Sequence, residues 1–286
     1  MRSAERIVAA WSWPMAAGWV GWSAAALGYA VLLAGPGGAR NWWGAHLIGT
    51  AAAYAPVFLV PALLALRRGN QRSAVAAFIA TGYLTVVLVT WLPRQSPAVW
   101  PQEWRLIGWG LGCIAVYCTG PLIFARLRRV PLRSLGLQWG AWRWELILSG
   151  ALIPAILVIA WVAAGLPAFQ AMYPFYDTGP GRPVTLGLVA WWALYAGTFA
   201  ALEFYFRGFL VGAGTPLLGW WAIPAMAAPY CLLHLDKPLP ELVSSLMGGL
   251  ALGVVARLTG SILTGVLAHI GLALSTDAAV LLRSPR

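Results

Sequence analysis

Charge is what this chain has least of. Asp, Glu, Lys and Arg together make up 9% of its 286 residues, with eight acidic positions and a single lysine, Lys237. A water-soluble domain carries roughly 25% charged residues, so the composition excludes an ordinary soluble fold. Cysteine is scarce too: Cys113, Cys118 and Cys231 all fall in apolar stretches. An odd, buried set gives neither a disulfide framework nor a zinc-type spacing. Histidine occurs three times, at His46, His234 and His269. Low-complexity segments and internal repeats are absent, which removes solenoid and inverted-repeat architectures.

What the chain has instead is hydrophobic length. Apolar residues make up 60% of it and the mean hydropathy is +0.75. A bilayer core takes about 20 apolar residues per helix. Stretches that meet this lie at roughly 14–35, 44–66, 73–93, 106–125, 146–168, 184–213, 220–236, 240–258 and 261–282. The fold class expected is all-α: a polytopic transmembrane bundle of eight or nine helices, because lipid cannot satisfy an open backbone. The seventh stretch is short, and one segment is expected to be re-entrant if Arg283 and Arg286 stay inside. The 18 Trp fit membrane interfaces. Arg2, Glu5 and Arg6 precede a long apolar run with further spans behind it, which fits an uncleaved first span better than a signal peptide.

The net charge of +11 is all arginine but for Lys237. It gathers at segment ends, with no basic stripe among exposed aromatics, so nucleic acid is excluded as a partner. Arg67, Arg68 and Arg72 share one loop, and Arg126, Arg128, Arg129, Arg133 and Arg143 share another. The positive-inside rule places both in the cytoplasm, facing anionic lipid. The Ala-, Gly-, Arg- and Trp-rich composition suggests a prokaryotic inner or plasma membrane. The second arginine loop divides the chain into accessory helices, 1–130, and a polar core, 131–286.

Glu5, Glu103, Glu145, Asp177 and Asp236 lie at segment ends or in loops, where a charge needs no explanation. Glu203, Glu241 and Asp277 lie in or at the edge of helices, where a charge costs on the order of 3 kcal/mol. Glu203 and Arg207 are four residues apart, so they share a face and can pair. Gly208 next to them allows close approach of a neighbouring helix. Tyr230 and His234 share a face for the same reason. His269 lies in the last helix, and His46, without polar company, reads as structural. At 1.5 Å per residue, Glu203 and His269 lie about 12–15 Å from their cytoplasmic turns and His234 about 20 Å. One polar pocket opening toward the cytoplasm is therefore expected. Glu241, after Pro238-Leu-Pro, reads as a helix-start carboxylate stabilised by the dipole. Asp277, two turns beyond His269, reads as a partner for Lys237, though either carboxylate is also available to the site.

These residues resemble the CAAX protease and bacteriocin-processing (CPBP) family of intramembrane proteases. That family carries Glu-Glu-x-x-x-Arg, Phe-x-x-x-His and His-x-x-x-Asn on separate helices. Here the segments are Leu202-Glu203-Phe-Tyr-Phe-Arg207-Gly208, Tyr230-x-x-x-His234 and His269-x-x-x-Ala273, within residues 131–286. The resemblance implies metal-free, glutamate-activated hydrolysis of a membrane-embedded or lipidated peptide substrate, with no cofactor. It places Glu203, His234 and His269 in catalytic positions, with Arg207, Tyr230, Glu241 and Asp277 supporting. Leu202 stands where the family's water-activating Glu is, and Ala273 where its oxyanion Asn is.

Three mechanisms follow. Glu203 acts as base with the histidines orienting water and stabilising the oxyanion. Or Glu203, His234 and His269 hold zinc, a reading that no His-Glu-x-x-His helix supports. Or the chain is a non-catalytic membrane scaffold or chaperone. A proton-coupled transporter is the rival from another class, which predicts a path reaching both membrane faces.

Overall fold

The computed structural model describes residues 13–34, 47–179 and 184–283. His46, the extreme N-terminus with Arg2, Glu5 and Arg6, and Arg286 lie outside the described residues. Every regular element described is helical, and eight of the helices are long and apolar enough to cross a membrane. The molecule is a multi-pass integral membrane protein built as an all-α bundle.

The long helices are α1 (Trp13–Ala34), α2 (Leu47–Arg67), α3 (Arg72–Trp91), α4 (Gln102–Arg128) and α5 (Trp142–Ala163). A short α6 (Pro167–Met172) precedes α7 (Leu186–Glu203), which continues without a break as a π-helix, Phe204–Ala213. Then come α8 (Ala222–Leu232), α9 (Leu239–Thr259) and α10 (Leu263–Arg283). Local chemistry sets several ends. The Thr185 hydroxyl accepts from Leu188 N at 3.1 Å, capping α7. Gly260, at φ 73°, closes α9 in the left-handed conformation that glycine adopts without strain. Pro56 and Pro61 sit inside α2, tolerated because neighbouring helices support a locally broken ladder.

The expected seventh span, 220–236, contains a helix of only 11 residues. Pro229 removes one backbone donor inside it, and tight turns from Cys231 to Lys237 finish the segment. The segment nevertheless runs from one end of the bundle to the other. Arg68 Nη1 donates to Leu218 O at 2.7 Å, which ties its start to the first arginine loop. Arg94 and Asp236 pair at 3.2 Å beyond the far end of α3, which ties its finish to the opposite end. The chain thus crosses here partly as helix and partly as turns.

The main apolar core joins helices from both sides of residue 130. Phe78 and Phe124 pack on Phe209, and the Tyr205 hydroxyl donates to Gly82 O at 2.5 Å. Gly208 admits a close neighbour, and so does Gly212, but that neighbour is the arginine loop and not the expected neighbouring helix. A Cβ on either would strike the Leu135 or Ser134 carbonyl of the single-turn helix Leu132–Leu135. The second arginine loop is therefore clamped onto the π-helix.

Candidate active site

Glu203 ends α7 at the point where the helix widens to π geometry, and it is wholly buried. Its Oε1 accepts from Arg207 Nη1 at 2.7 Å, with both side chains out of solvent. The expected pair is present, and it offsets part of the cost of burying either charge. Oε2 of Glu203 has no hydrogen-bond partner, nor have Nε and Nη2 of Arg207. The pair therefore leaves one acceptor and two sets of donors unused at the same place.

His269 reaches this centre from α10. Its Nδ1 lies 2.6 Å from Glu203 Oε1 but off the line of an aligned hydrogen bond. The contact is a close approach of opposite polarity. On the other side of the ring, Nε2 is 2.6 Å from the Tyr230 hydroxyl. With Nδ1 facing a carboxylate, the favourable tautomer carries its proton there and accepts from Tyr230 at Nε2. Phe199 stacks on the imidazole at 5.6 Å and 6°, which fixes the plane of the ring. Gly265, one turn before His269, makes the approach possible: a Cβ there would overlap the Glu203 carboxyl group.

Tyr230 is the hub of the second motif. Arg207 lies over its ring, 4.4 Å from the centroid, and Phe206 meets it edge-on at 5.2 Å. His234 packs against the same ring at 4.9 Å and places Nδ1 3.0 Å from the Tyr230 carbonyl. A carbonyl can only accept, so Nδ1 of His234 donates. In the neutral ring Nε2 is then the lone-pair nitrogen. His234 and His269 are both partly exposed while Glu203 is not.

Glu241 and Asp277 lie toward the opposite end of the bundle. Glu241 sits in the first turn of α9 as expected, and it has a partner that the sequence does not announce. The Tyr173 hydroxyl donates to its two oxygens at 2.9 and 2.8 Å. Lys237 Nζ donates to that hydroxyl oxygen at 2.8 Å and lies 3.8 Å from Glu241. Burial lowers the pKa of the Lys237 ammonium and raises that of the Tyr173 phenol. Lys237 is thus ion-paired with Glu241, at (i, i+4), and Asp277 is held instead by Trp192 Nε1 at 2.9 Å. The local pairing wins because the turn before Pro238 aims Lys237 along its own helix start.

Glu145 departs most from its sequence reading. It stands at the start of α5, where a carboxylate ordinarily faces solvent, yet only 3% of it is exposed. Helix α5 packs along α10, and Thr264 donates to Glu145 Oε2 at 3.3 Å. Leu202 packs partly buried against the main core, and Ala273 packs partly buried against the cluster of Leu188, Trp191 and Tyr195. Neither position brings a polar group to the centre.

Among the described residues, no group of three His, Cys, Asp or Glu side chains could hold a metal ion. His234 donates Nδ1 to the Tyr230 carbonyl and packs on the Tyr230 ring. The three motifs thus form a buried carboxylate–guanidinium pair flanked by a histidine, a tyrosine and a second histidine. The fold and this centre define a polytopic membrane protein with a glutamate–histidine site inside the bundle. Residues 183–275, which contain all three motifs, match the family model described as Type II CAAX prenyl endopeptidase Rce1-like. No curated protein and no solved structure matches the chain significantly.

Proposed function

We propose that the chain is an intramembrane endopeptidase that hydrolyses a peptide bond of a membrane-embedded or lipidated substrate, near the arginine-rich face assigned to the cytoplasm. The observation that carries this reading is the state of Glu203. One of its oxygens is engaged by Arg207 and approached by His269, and the other is buried without a partner. A buried acceptor with nothing to accept from is unusual, and a water proton suits it. The Arg207 pairing therefore does not use up the base.

The steps follow from the free atoms. Glu203 Oε2 takes a proton from water while His234 Nε2 accepts the water's second hydrogen and orients it. The hydroxide oxygen bonds to the carbonyl carbon. The oxyanion that develops lacks the amide that Ala273 does not supply, and the unpaired N–H groups of Arg207 offer a cationic substitute. The proton then passes from Glu203 to the leaving nitrogen as the C–N bond breaks. His269 holds the carboxylate in place through Nδ1 and is itself held by Tyr230. No metal or cofactor enters these steps.

The second reading, a non-catalytic membrane scaffold, is favoured by one observation: Leu202 and Ala273 stand at two reacting positions of the family motif. Reconstituted full-length protein, given a farnesylated CAAX peptide and a single-span transmembrane peptide as separate probes, distinguishes the two. Cleavage of either, abolished in Glu203→Gln and His269→Ala variants of unchanged helicity, supports the protease. Cleavage that persists in both variants overturns the roles given to Glu203 and His269, and cleavage absent from the wild-type protein with both probes supports the scaffold.

A further inference from the structure

The second arginine loop spans the two helices that carry the site. On one side the Leu135 and Ser134 carbonyls lie against Gly208 and Gly212 of the π-helix, the first of these next to Arg207. On the other side the loop holds the turn between α9 and α10. Ile262 N donates to Gly136 O at 3.3 Å, Gln138 Nε2 to Gly260 O at 2.9 Å, and Ala141 N to Thr259 O at 3.1 Å. Ile262 comes shortly before Gly265, which lies against the Glu203 carboxyl group. Residues 134–141 thus form a clasp between the helices that bring Glu203 and His269 together.

Arg126, Arg128, Arg129 and Arg133 lead into this clasp, all exposed and none ion-paired among the described residues. No exposed counter-charge stands at this end of the bundle among the described residues. Glu145 and Glu203 are buried, and the exposed acids Glu103, Asp177 and Asp236 lie at the other end. Arg129 keeps its charge at φ 54°, in the left-handed conformation where glycine is free of strain. Like charges gathered this closely repel one another, and the clasp that must hold against them has few hydrogen bonds.

We propose that this loop docks anionic phospholipid head groups, and that the bound lipid holds the clasp closed over the site. The charge calls for an anion, and the side chains among the arginines indicate its source. Leu127, Leu132 and Leu137 are exposed, and so are Trp139 and Trp142. Arginine alternating with leucine and tryptophan matches the boundary between lipid head groups and hydrocarbon. A soluble acidic partner would leave those apolar side chains in water. Lipid phosphates cancel the repulsion among the arginines and draw the loop to the membrane surface, which favours the closed clasp. The docking rests on the membrane fold alone; any effect on turnover rests also on the protease reading.

Amide hydrogen exchange of the full-length protein in nanodiscs tests it, with phosphatidylcholine alone compared with a mixture of phosphatidylcholine and phosphatidylglycerol. Peptides that contain Ala141 and Ile262 should exchange at least about fivefold more slowly in the mixture, the effect of one arginine at an anionic surface. Raised salt should remove the difference. The combined variant Arg126→Gln, Arg128→Gln, Arg129→Gln, Arg133→Gln should remove it too, and the wild-type comparison stands however that variant folds. Equal exchange of the wild-type protein in the two lipids would overturn the proposal. So would exchange slowed by a soluble polyglutamate peptide and not by phosphatidylglycerol, which would assign the loop to an acidic protein. Cleavage of the CAAX peptide should rise with the anionic lipid. Slowed exchange without cleavage of any probe supports the docking and tells against the protease reading alone.

Discussion

His269 Nδ1 lies 2.6 Å from Oε1 of Glu203, the same oxygen that accepts from Arg207 at 2.7 Å. Two helices thus converge on one atom, and the carboxylate cannot move without disturbing both neighbours. The pairing within α7 is local in sequence, whereas the histidine comes from a helix 66 residues later. What the long-range contact adds is direction. It holds the carboxylate so that Oε2, and not Oε1, is the oxygen left unpaired.

Breaking the pair from one side should therefore be worse than removing it whole. Arg207→Met leaves Glu203 buried with its guanidinium gone, a change expected to cost about 3–5 kcal/mol. The double variant Glu203→Gln, Arg207→Met should recover most of that loss. Thermal unfolding in one detergent, run as a double-mutant cycle, measures the coupling. Additive effects would mean that the ion pair contributes little to the fold.

Tyr230 stands where the family motif has Phe, and its hydroxyl is the group that reaches His269 Nε2. Tyr230→Phe keeps the ring that packs under Arg207 and against Phe206. The expected outcome is a modest stability loss, about 1–3 kcal/mol for an unpaired buried acceptor, and a larger loss in kcat than in KM. Nitrogen-15 NMR of histidine-labelled protein checks the cause, because the chain has only three histidines. The His269 signals should change from one dominant tautomer to a mixture. If the tautomer is unchanged, Tyr230 does not set it.

Gly265→Ala tests the meeting point of the two helices. The added methyl would fall on the Glu203 carboxyl group, with helix backbone on one side and Arg207 on the other. A loss of about 1–3 kcal/mol, as for overpacking in a core, and abolished hydrolysis are expected. Gly248→Ala serves as a control, since a Cβ there meets nothing and a helix interior gains about 1 kcal/mol from the exchange. Equal behaviour of the two variants would show that α10 can shift away from Glu203 without consequence.

Much of this was legible in the sequence, and the residues show where legibility ends. Eight spans follow from hydrophobic length alone, because a bilayer forces each to close its own hydrogen bonds. The π-helix at Phe204–Ala213 has no such signature: its widening serves contacts with Leu135 and Ser134, which lie some 75 residues earlier. Arg207 could be paired with Glu203 from spacing alone. That one oxygen would remain free depended on His269 and Gly265 arriving from another helix. Glu145 was hidden by its position, since an acidic residue in a first helical turn is ordinarily a solvated dipole cap. Tyr173 was invisible because it lies beyond α6, outside every apolar span, and meets Glu241 and Lys237 only in the folded chain.

That last cluster yields a prediction about what Glu241 does. If it stood in for the missing Leu202 carboxylate, Glu241→Gln would abolish hydrolysis. The geometry argues for a structural part: Glu241 accepts twice from Tyr173, pairs with Lys237 and is about a fifth exposed in its side chain. Glu241→Gln should leave kcat within about twofold, because its carboxylate is already saturated by neighbours that tie the start of α9 to the segment after α6. Tyr173→Phe, which removes the hydroxyl that bridges Lys237 and that carboxylate, should cost about 1–2 kcal/mol and likewise spare turnover. Peptide cleavage and thermal unfolding measured on the same two preparations separate the roles. Lost turnover at wild-type stability would move Glu241 into the catalytic centre, whereas lost stability at wild-type turnover would leave Glu203 as the carboxylate that activates water.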